Sequence, residues 1–436
     1  HREGLTMTLL IRGARILTQD AQRRTLDGDV PVEDGKITKI GGTIKAKADE
    51  TIDAKGKLLI PGLVNTHTHL PMVLFRGWGD DLLLDDWLKT RIWPAEEKMN
   101  ESDMRAGTQL AALEMIESGS TCFNDMYFFE DAVADEAEKA GLRGWAGFGM
   151  VDAGKVGPEE PNPKMAECEA FVKKWAKKDR VRASPAPHAP YTCGPVTYRR
   201  SMEIAEKHDT ILHTHMSETR SEVYDVEKTR GARPPKYLAD AKALGKRSLL
   251  AHCGWITKDE VNAVAKAGAS VSHNPVSNMK LATGGACPVP ELLSAKADVG
   301  LGTDGAASNN SLDMFETMKF AALLHKHLRW DAKLLPAATI FDLATRGGAA
   351  ALKWGDKIGS IEVGKRADLV LIDLDDPRLR PMHDPVSQLV YAGPSRPVHA
   401  TIVDGKILKL GDEYRTLKPA GVIDAAEAAS RRLTGG

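Results

Sequence analysis

The chain has 436 residues, 42% hydrophobic and 27% charged, a globular composition that fits two or three domains, one of which can be a closed α/β barrel of about 250 residues. Lys and Arg total 59 against 60 Asp and Glu, for a net charge of -1, and aromatics make up 6%, which excludes an electrostatic or base-stacking case for nucleic acid or an anionic membrane as partner. No apolar run reaches the ~18 residues of a membrane span, no signal-peptide core is present, and Cys122, Cys168, Cys193, Cys253 and Cys287 form no CxxC pair, so reduced thiols and a cytoplasmic location are expected.

In chain order, His1–Thr6 are set aside and Met7 is read as the start. Leu9–Leu17 and Val30–Ile40 carry apolar residues at period two, with a turn at Glu33-Asp34-Gly35-Lys36, and predict a small antiparallel β unit. The tail repeats the pattern at Ala367–Ile372 and Ala400–Val403, followed by an Asp404-Gly405 hairpin. Neither end has enough strands to be stable alone, so one composite β-sandwich from 7–58 and 359–436 is expected.

Between the ends, short apolar runs alternate with amphipathic helices such as Glu101–Glu117 and Asp131–Ala140. Eight strands are predicted: Leu63–Thr68, Thr121–Met126, Leu142–Met150, Val181–Ala186, Ile211–Met216, Ser248–Cys253, Ala269–His273 and Val299–Thr303. Eight parallel strands close a (β/α)8 barrel, here expected over 59–358.

Five of these strands end in residues able to bind a metal or titrate, and strand C-termini of such a barrel converge on one face. Residues two apart on a strand point the same way, so His67 and His69 can hold one ion together, and His215 and Asp304 complete a set of three imidazoles and a carboxylate. That set suits Zn²⁺ and also accepts other divalent metals such as Fe²⁺ or Mn²⁺. Singly, each of these residues has a plainer reading: a chance HxH, a capping Asp, a hydrogen-bonded core His252, a solvated Glu218. It is their joint position at strand ends that favours a site. His213 shares the face of His215 one layer deeper, and His188 lies between two prolines. Gly300–Gly305 matches GxGxxG without the following helix and ribose-binding acid, and the PCxxC of the cytidine-deaminase zinc fold is absent.

The pattern resembles the amidohydrolase superfamily over essentially the whole chain: Pro61-Gly62-Leu63-Val64-Asn65-Thr66-His67-Thr68-His69, then His215, His252 and Asp304 in order. Strand four lacks the lysine that binuclear members carboxylate, so the resemblance implies one Zn²⁺ per subunit. His215-Met216-Ser217-Glu218 resembles the HxxE of mononuclear deaminases and triazine hydrolases. Leu84-Asp85-Asp86-Trp87-Leu88, Trp93-Pro94-Ala95-Glu96 and His188-Ala189-Pro190-Tyr191 resemble the 5-methylthioadenosine/S-adenosylhomocysteine deaminases, whose close relatives act on 5'-deoxyadenosine.

This resemblance implies a hydrolytic deaminase in which Glu96 holds the ribose hydroxyls, His188 contacts the nucleoside and Trp87 walls the pocket. Asp304 and His252 are expected to accept hydrogen bonds or protons from the attacking water, while Glu218 gives a proton to N1 of adenine. Some members carry an arginine near the end of strand three that meets the homocysteine carboxylate; here Gly147-Phe148-Gly149 stands there, and Phe148 is expected to face an apolar 5' substituent. A homo-oligomer, dimer or tetramer, is implied by the same analogy. The competing readings are a guanine, cytosine or triazine hydrolase of the same subgroup, a simple metal-binding module, and a non-catalytic scaffold.

Overall fold

The computed structural model describes residues 8–152, 159–392 and 397–435. The start assigned to Met7 and the six residues before it lie outside the described residues. The N-terminal part forms β1 (Thr8–Leu17), β2 (Thr25–Glu33), β3 (Lys36–Ile37), β4 (Glu50–Asp53) and β5 (Lys57–Pro61). Eight strands follow: β6 (Leu63–Thr68), β7 (Ser120–Asp125), β8 (Arg143–Met150), β9 (Val181–Pro187), β10 (Leu212–Met216), β11 (Ser248–His252), β12 (Ser270–His273) and β13 (Val299–Leu301). The tail adds β14 (Leu369–Asp373), β15 (Val398–Val403), β16 (Lys406–Leu410) and β17 (Glu413–Tyr414).

The two chain ends do join. β14 pairs antiparallel with β5, and β5 parallel with β1, giving one nine-stranded sheet of order β17-β16-β15-β14-β5-β1-β2-β3 with β4 beside β1. The sheet takes in β5 through Pro61, three residues past the expected limit at 58. Its apolar residues from both ends, Ile11, Ile16, Val30, Val32, Leu369, Leu371 and Ile402, form a single buried cluster.

The eight central strands form two four-stranded parallel sheets, β6-β7-β8-β9 and β10-β11-β12-β13. The sheets meet at two seams. His215 N–H donates to His188 O at 3.0 Å between β10 and the end of β9, and Asp304 N–H donates to His67 O at 2.9 Å between the end of β13 and β6. At both seams the connection is made at the C-terminal ends of the strands, where the site lies.

Turn chemistry sets the entry to β6. A side chain at Gly62 would put its Cβ 1.9 Å from Thr121 Oγ1, so only glycine lets β6 lie this close to β7. Helix Glu101–Glu117, the N-terminal part of the βα alternation, starts with a capping box in which Asn100 and Asp103 satisfy each other's backbone N–H groups. Helix Glu130–Ala140 stops at Gly141, which adopts φ 91°. The deep end of the central strands is apolar: Val64, Cys122, Trp145, Ile211 and Leu249 pack with Trp354, whose ring stacks on Trp145 at 4.9 Å. Arg143 and Asp368, both 2% exposed in their side chains, pair at 2.6 Å and tie β8 to the nine-stranded sheet. Among the described residues no helix is long and apolar enough to cross a membrane.

Candidate metal and substrate site

At the opposite end, strand C-termini surround a cavity of about 540 Å³. His69, Trp87, Glu96, His188, His215, Glu218, His252 and Asp304 all line it, and fully buried His67 lies beneath. Three of the strand-end residues stand in the left-handed backbone region, Ser217 at φ 51°, His252 at 77° and Asp304 at 63°. Such conformations cost of order 1–3 kcal/mol each and persist only where surrounding structure holds them. For Ser217 and Glu218 the support is visible: the Glu222 carboxylate accepts both backbone N–H groups, at 2.9 and 2.7 Å.

The donor atoms of His67, His69 and Asp304 lie within 4.8 Å of one another, as do those of His67, His215 and His252. His69 Nδ1 donates to Met126 O at 2.6 Å and His215 Nδ1 to His188 O at 2.8 Å. Neutral rings held that way turn two bare Nε2 atoms toward each other, and these are 3.3 Å apart. His67 Nε2 is buried with no hydrogen-bond partner, 3.5 Å from Asp304 Oδ1, while its Nδ1 lies 2.9 Å from His213 Nε2. Facing lone pairs beside a buried carboxylate are the arrangement a divalent cation resolves, so this donor set fits zinc. Asp304 is itself held by Ser277 Oγ at 2.7 Å and Gly305 N–H at 2.7 Å.

Burial and neighbouring charges separate the acids. Burial opposes the charge of Asp304, but the neighbouring His67 and His69 rings keep its carboxyl well below the usual range. Burial pushes the Glu218 carboxyl up to about 8, and the charge of Asp304 adds to the rise. Burial holds His67 down at about 4 against the pull of Asp304. Burial also works against a charge on His69, yet the Asp304 carboxylate raises that ring to about 9, so a proton and a divalent cation compete for the same Nε2 beside Asp304. One carboxylate is thus ionised and the other proton-bearing at neutral pH.

Away from this cluster, Glu96 sits on the short helix Trp93–Glu96 and accepts from Tyr127 Oη at 2.6 Å. Its burial raises its carboxyl above the ordinary value. His188 Nδ1 lies 2.9 Å from Thr192 Oγ1 and its ring stands edge-on to His215 at 4.8 Å. Leu84, Leu88, Val151 and Tyr191 supply apolar wall.

Phe148 is a correction: it does not line the cavity but packs against Phe171, with ring centroids 5.9 Å apart. Parity explains it. Gly147 and Gly149 occupy the crowded face of β8, where a Cβ would meet Asp125 O at 2.4 Å and Tyr127 O at 2.5 Å, so the residue between them must point away. Tyr127 and Tyr191 line the cavity without having been singled out as site residues in the sequence; Tyr127 lies two residues past the end of β7, a strand-end position that could have flagged it.

The model of the amidohydrolase family matches residues 58–408. The 5'-deoxyadenosine deaminase of Methanothermobacter thermautotrophicus is 44% identical over 431 residues, 98% of this chain and 99% of that protein. The 5-methylthioadenosine/S-adenosylhomocysteine deaminase of Thermococcus onnurineus is 43% identical over 409 residues, 93% of this chain and 95% of that protein. Among solved structures, an adenosine deaminase from Xanthomonas campestris with bound zinc superposes at a TM-score of 0.92 with 34% identity, covering 99% of both chains. This chain belongs to the amidohydrolase family.

Proposed function

We propose that the chain is a zinc-dependent hydrolytic deaminase of adenosine-type nucleosides, releasing ammonia and the inosine analogue. The observation that carries this reading is the buried Glu218 carboxyl standing beside Asp304, His252 and the His67, His69 and His215 imidazoles at one cavity. The names of the near-full-length relatives support the same substrate class.

His67, His69, His215 and Asp304 are the residues that would hold one zinc ion per subunit, which when bound acidifies water to a pKa of about 7 and so supplies a hydrolytic nucleophile at neutral pH. Glu218 gives its proton to N1 of the base, which draws electron density from C6. Asp304 takes one proton from the attacking water as the C6–O bond forms, then passes it to the exocyclic amine. As ammonia leaves with the C–N bonding pair, the hydroxyl proton on C6 returns to Glu218, and both carboxyls regain their starting states. His252, 3.7 Å from Glu218 and 3.9 Å from Asp304, orients the attacking oxygen.

Glu96 accepts hydrogen bonds from the ribose hydroxyls, with Tyr127 steadying one carboxylate oxygen, and His188 contacts the nucleoside. Trp87 and Val151 face the sugar end. Among the described residues no Arg or Lys lines the cavity, which favours a methylthio, 5'-deoxy or plain hydroxymethyl end over the charged tail of S-adenosylhomocysteine.

The same reading takes the two parallel sheets as one closed (β/α)8 barrel over 59–358, supported by the backbone bonds at both seams. The sheet from 7–58 and 359–436 folds over its own apolar cluster as a sandwich, supported by the shared core of both chain ends. Five free, buried cysteines support a cytoplasmic protein, and exposed Phe320, Leu323 and Trp330 suit a homo-oligomer.

Ammonia release from 5'-deoxyadenosine, methylthioadenosine, adenosine, S-adenosylhomocysteine, guanine and cytosine, together with chloride release from a chlorotriazine, tests the reading. Turnover of the first three above the rest is expected; turnover of only free bases or the triazine would replace it.

A further inference from the structure

The ring of His252 sits at the end of β11, 1% exposed, and its hydrogen-bond partners are two asparagines from the segment after β12. Asn278 Nδ2 lies 3.0 Å from His252 Nδ1 and Asn274 Nδ2 lies 3.3 Å from the same atom. An amide nitrogen only donates. Asn274 is turned this way by Ser272, whose hydroxyl donates to Asn274 Oδ1 at 3.0 Å. Both asparagines are buried, so water does not compete for Nδ1.

A ring nitrogen that receives such donors must offer its lone pair. The hydrogen of neutral His252 is then on Nε2, the atom that faces Glu218 Oε2 at 3.7 Å and Asp304 Oδ2 at 3.9 Å. Both separations exceed hydrogen-bond range, so this N–H is left for a third oxygen. A ring in this tautomer donates into the site and has no lone pair there to take a proton.

We propose that Asn274 and Asn278 are positioning residues that fix His252 as a hydrogen-bond donor through Nε2, so that it steadies the oxygen arriving at C6 and leaves that oxygen's proton to Asp304. The role rests on the deaminase reading above; the tautomer does not. It reverses the expectation that His252 accepts from the attacking water.

The test uses the full-length, zinc-loaded protein with ¹⁵N-labelled histidine. In the wild type, the His252 resonances, assigned by their loss in His252→Gln, are expected to give a bare Nδ1 and a protonated Nε2. Asn278→Asp places an acceptor at Nδ1 and is expected to reverse the pattern. Its kcat should fall roughly a hundredfold or more, since a wrong tautomer beside a catalytic imidazole has cost ~10⁴ elsewhere, with KM little changed. His252→Gln, whose side-chain amide still donates, should retain clearly more activity than His252→Ala.

Thermal unfolding of each variant separates these effects from misfolding. A wild type protonated on Nδ1, a folded Asn278→Asp with wild-type kcat, or His252→Gln no better than His252→Ala would each overturn the proposal. A protein with the expected tautomer that releases no ammonia from any adenosine-type nucleoside would overturn the deaminase reading, and the role of the tautomer with it.

Discussion

The two ends of the parallel strands differ sharply in chemistry. At the deep end, Val64, Cys122, Trp145 and Leu249 close an apolar cluster, and the buried Arg143–Asp368 pair is matched charge to charge. At the other end the C-termini of the parallel strands present His67, His69, His215, His252 and Asp304, with three backbones in the left-handed region and a buried imidazole nitrogen without a partner. One end lowers the free energy of the fold; the other carries strain and buried polar chemistry that the first must offset. Substitutions at the two ends should therefore separate stability from turnover.

The largest effect is expected at the mouth. Glu218→Gln should lower kcat by ~10²–10⁴-fold while zinc content, measured by elemental analysis, stays at the wild-type level. At the deep end, Asp368→Ala takes the nearer carboxylate from buried Arg143 and leaves it only Asp404 at 3.4 Å, and should lower unfolding free energy by up to about 3 kcal/mol in urea melts with kcat of the folded protein unchanged. Glu96→Ala removes a charged acceptor for ribose, and should cost about 1.5–3 kcal/mol in kcat/KM for nucleosides without changing the melt.

The pH profile sharpens the contrast further. Glu218 must hold its proton to donate it, and burial has raised its carboxyl to about 8, so it is protonated below that pH and ionised above. kcat/KM should fall as pH rises through about 8, and the residual activity of Glu218→Gln should lack that limb. The smallest effect is expected at Phe148, which faces Phe171 outside the cavity: Phe148→Leu should leave kcat/KM within about twofold.

Strand periodicity made most of this mouth legible in the sequence. His67 and His69 share a face because residues two apart must, and His215, His252 and Asp304 stand at strand ends that the apolar runs mark. Phe148 went the other way because its parity depends on which face is crowded, a fact of packing, although the flanking Gly147 and Gly149 hold the clue. Asn274 and Asn278 gave no signal: asparagines after a strand read as turn residues, and only the left-handed turn at His252 brings its Nδ1 to them. The break of the eight strands into two hydrogen-bonded sheets is likewise a property of the seams, invisible in any single strand.

Under the proposed function, His67 on β6, His69 just after it, His215 on β10 and Asp304 past the end of β13 surround one cation. Anomalous diffraction from crystals of the zinc-reconstituted protein, collected at the zinc absorption edge, tests it directly. One strong peak among His67 Nε2, His69 Nε2, His215 Nε2 and Asp304 Oδ1 is the result expected; an ammonia-releasing protein with no peak there would contradict it.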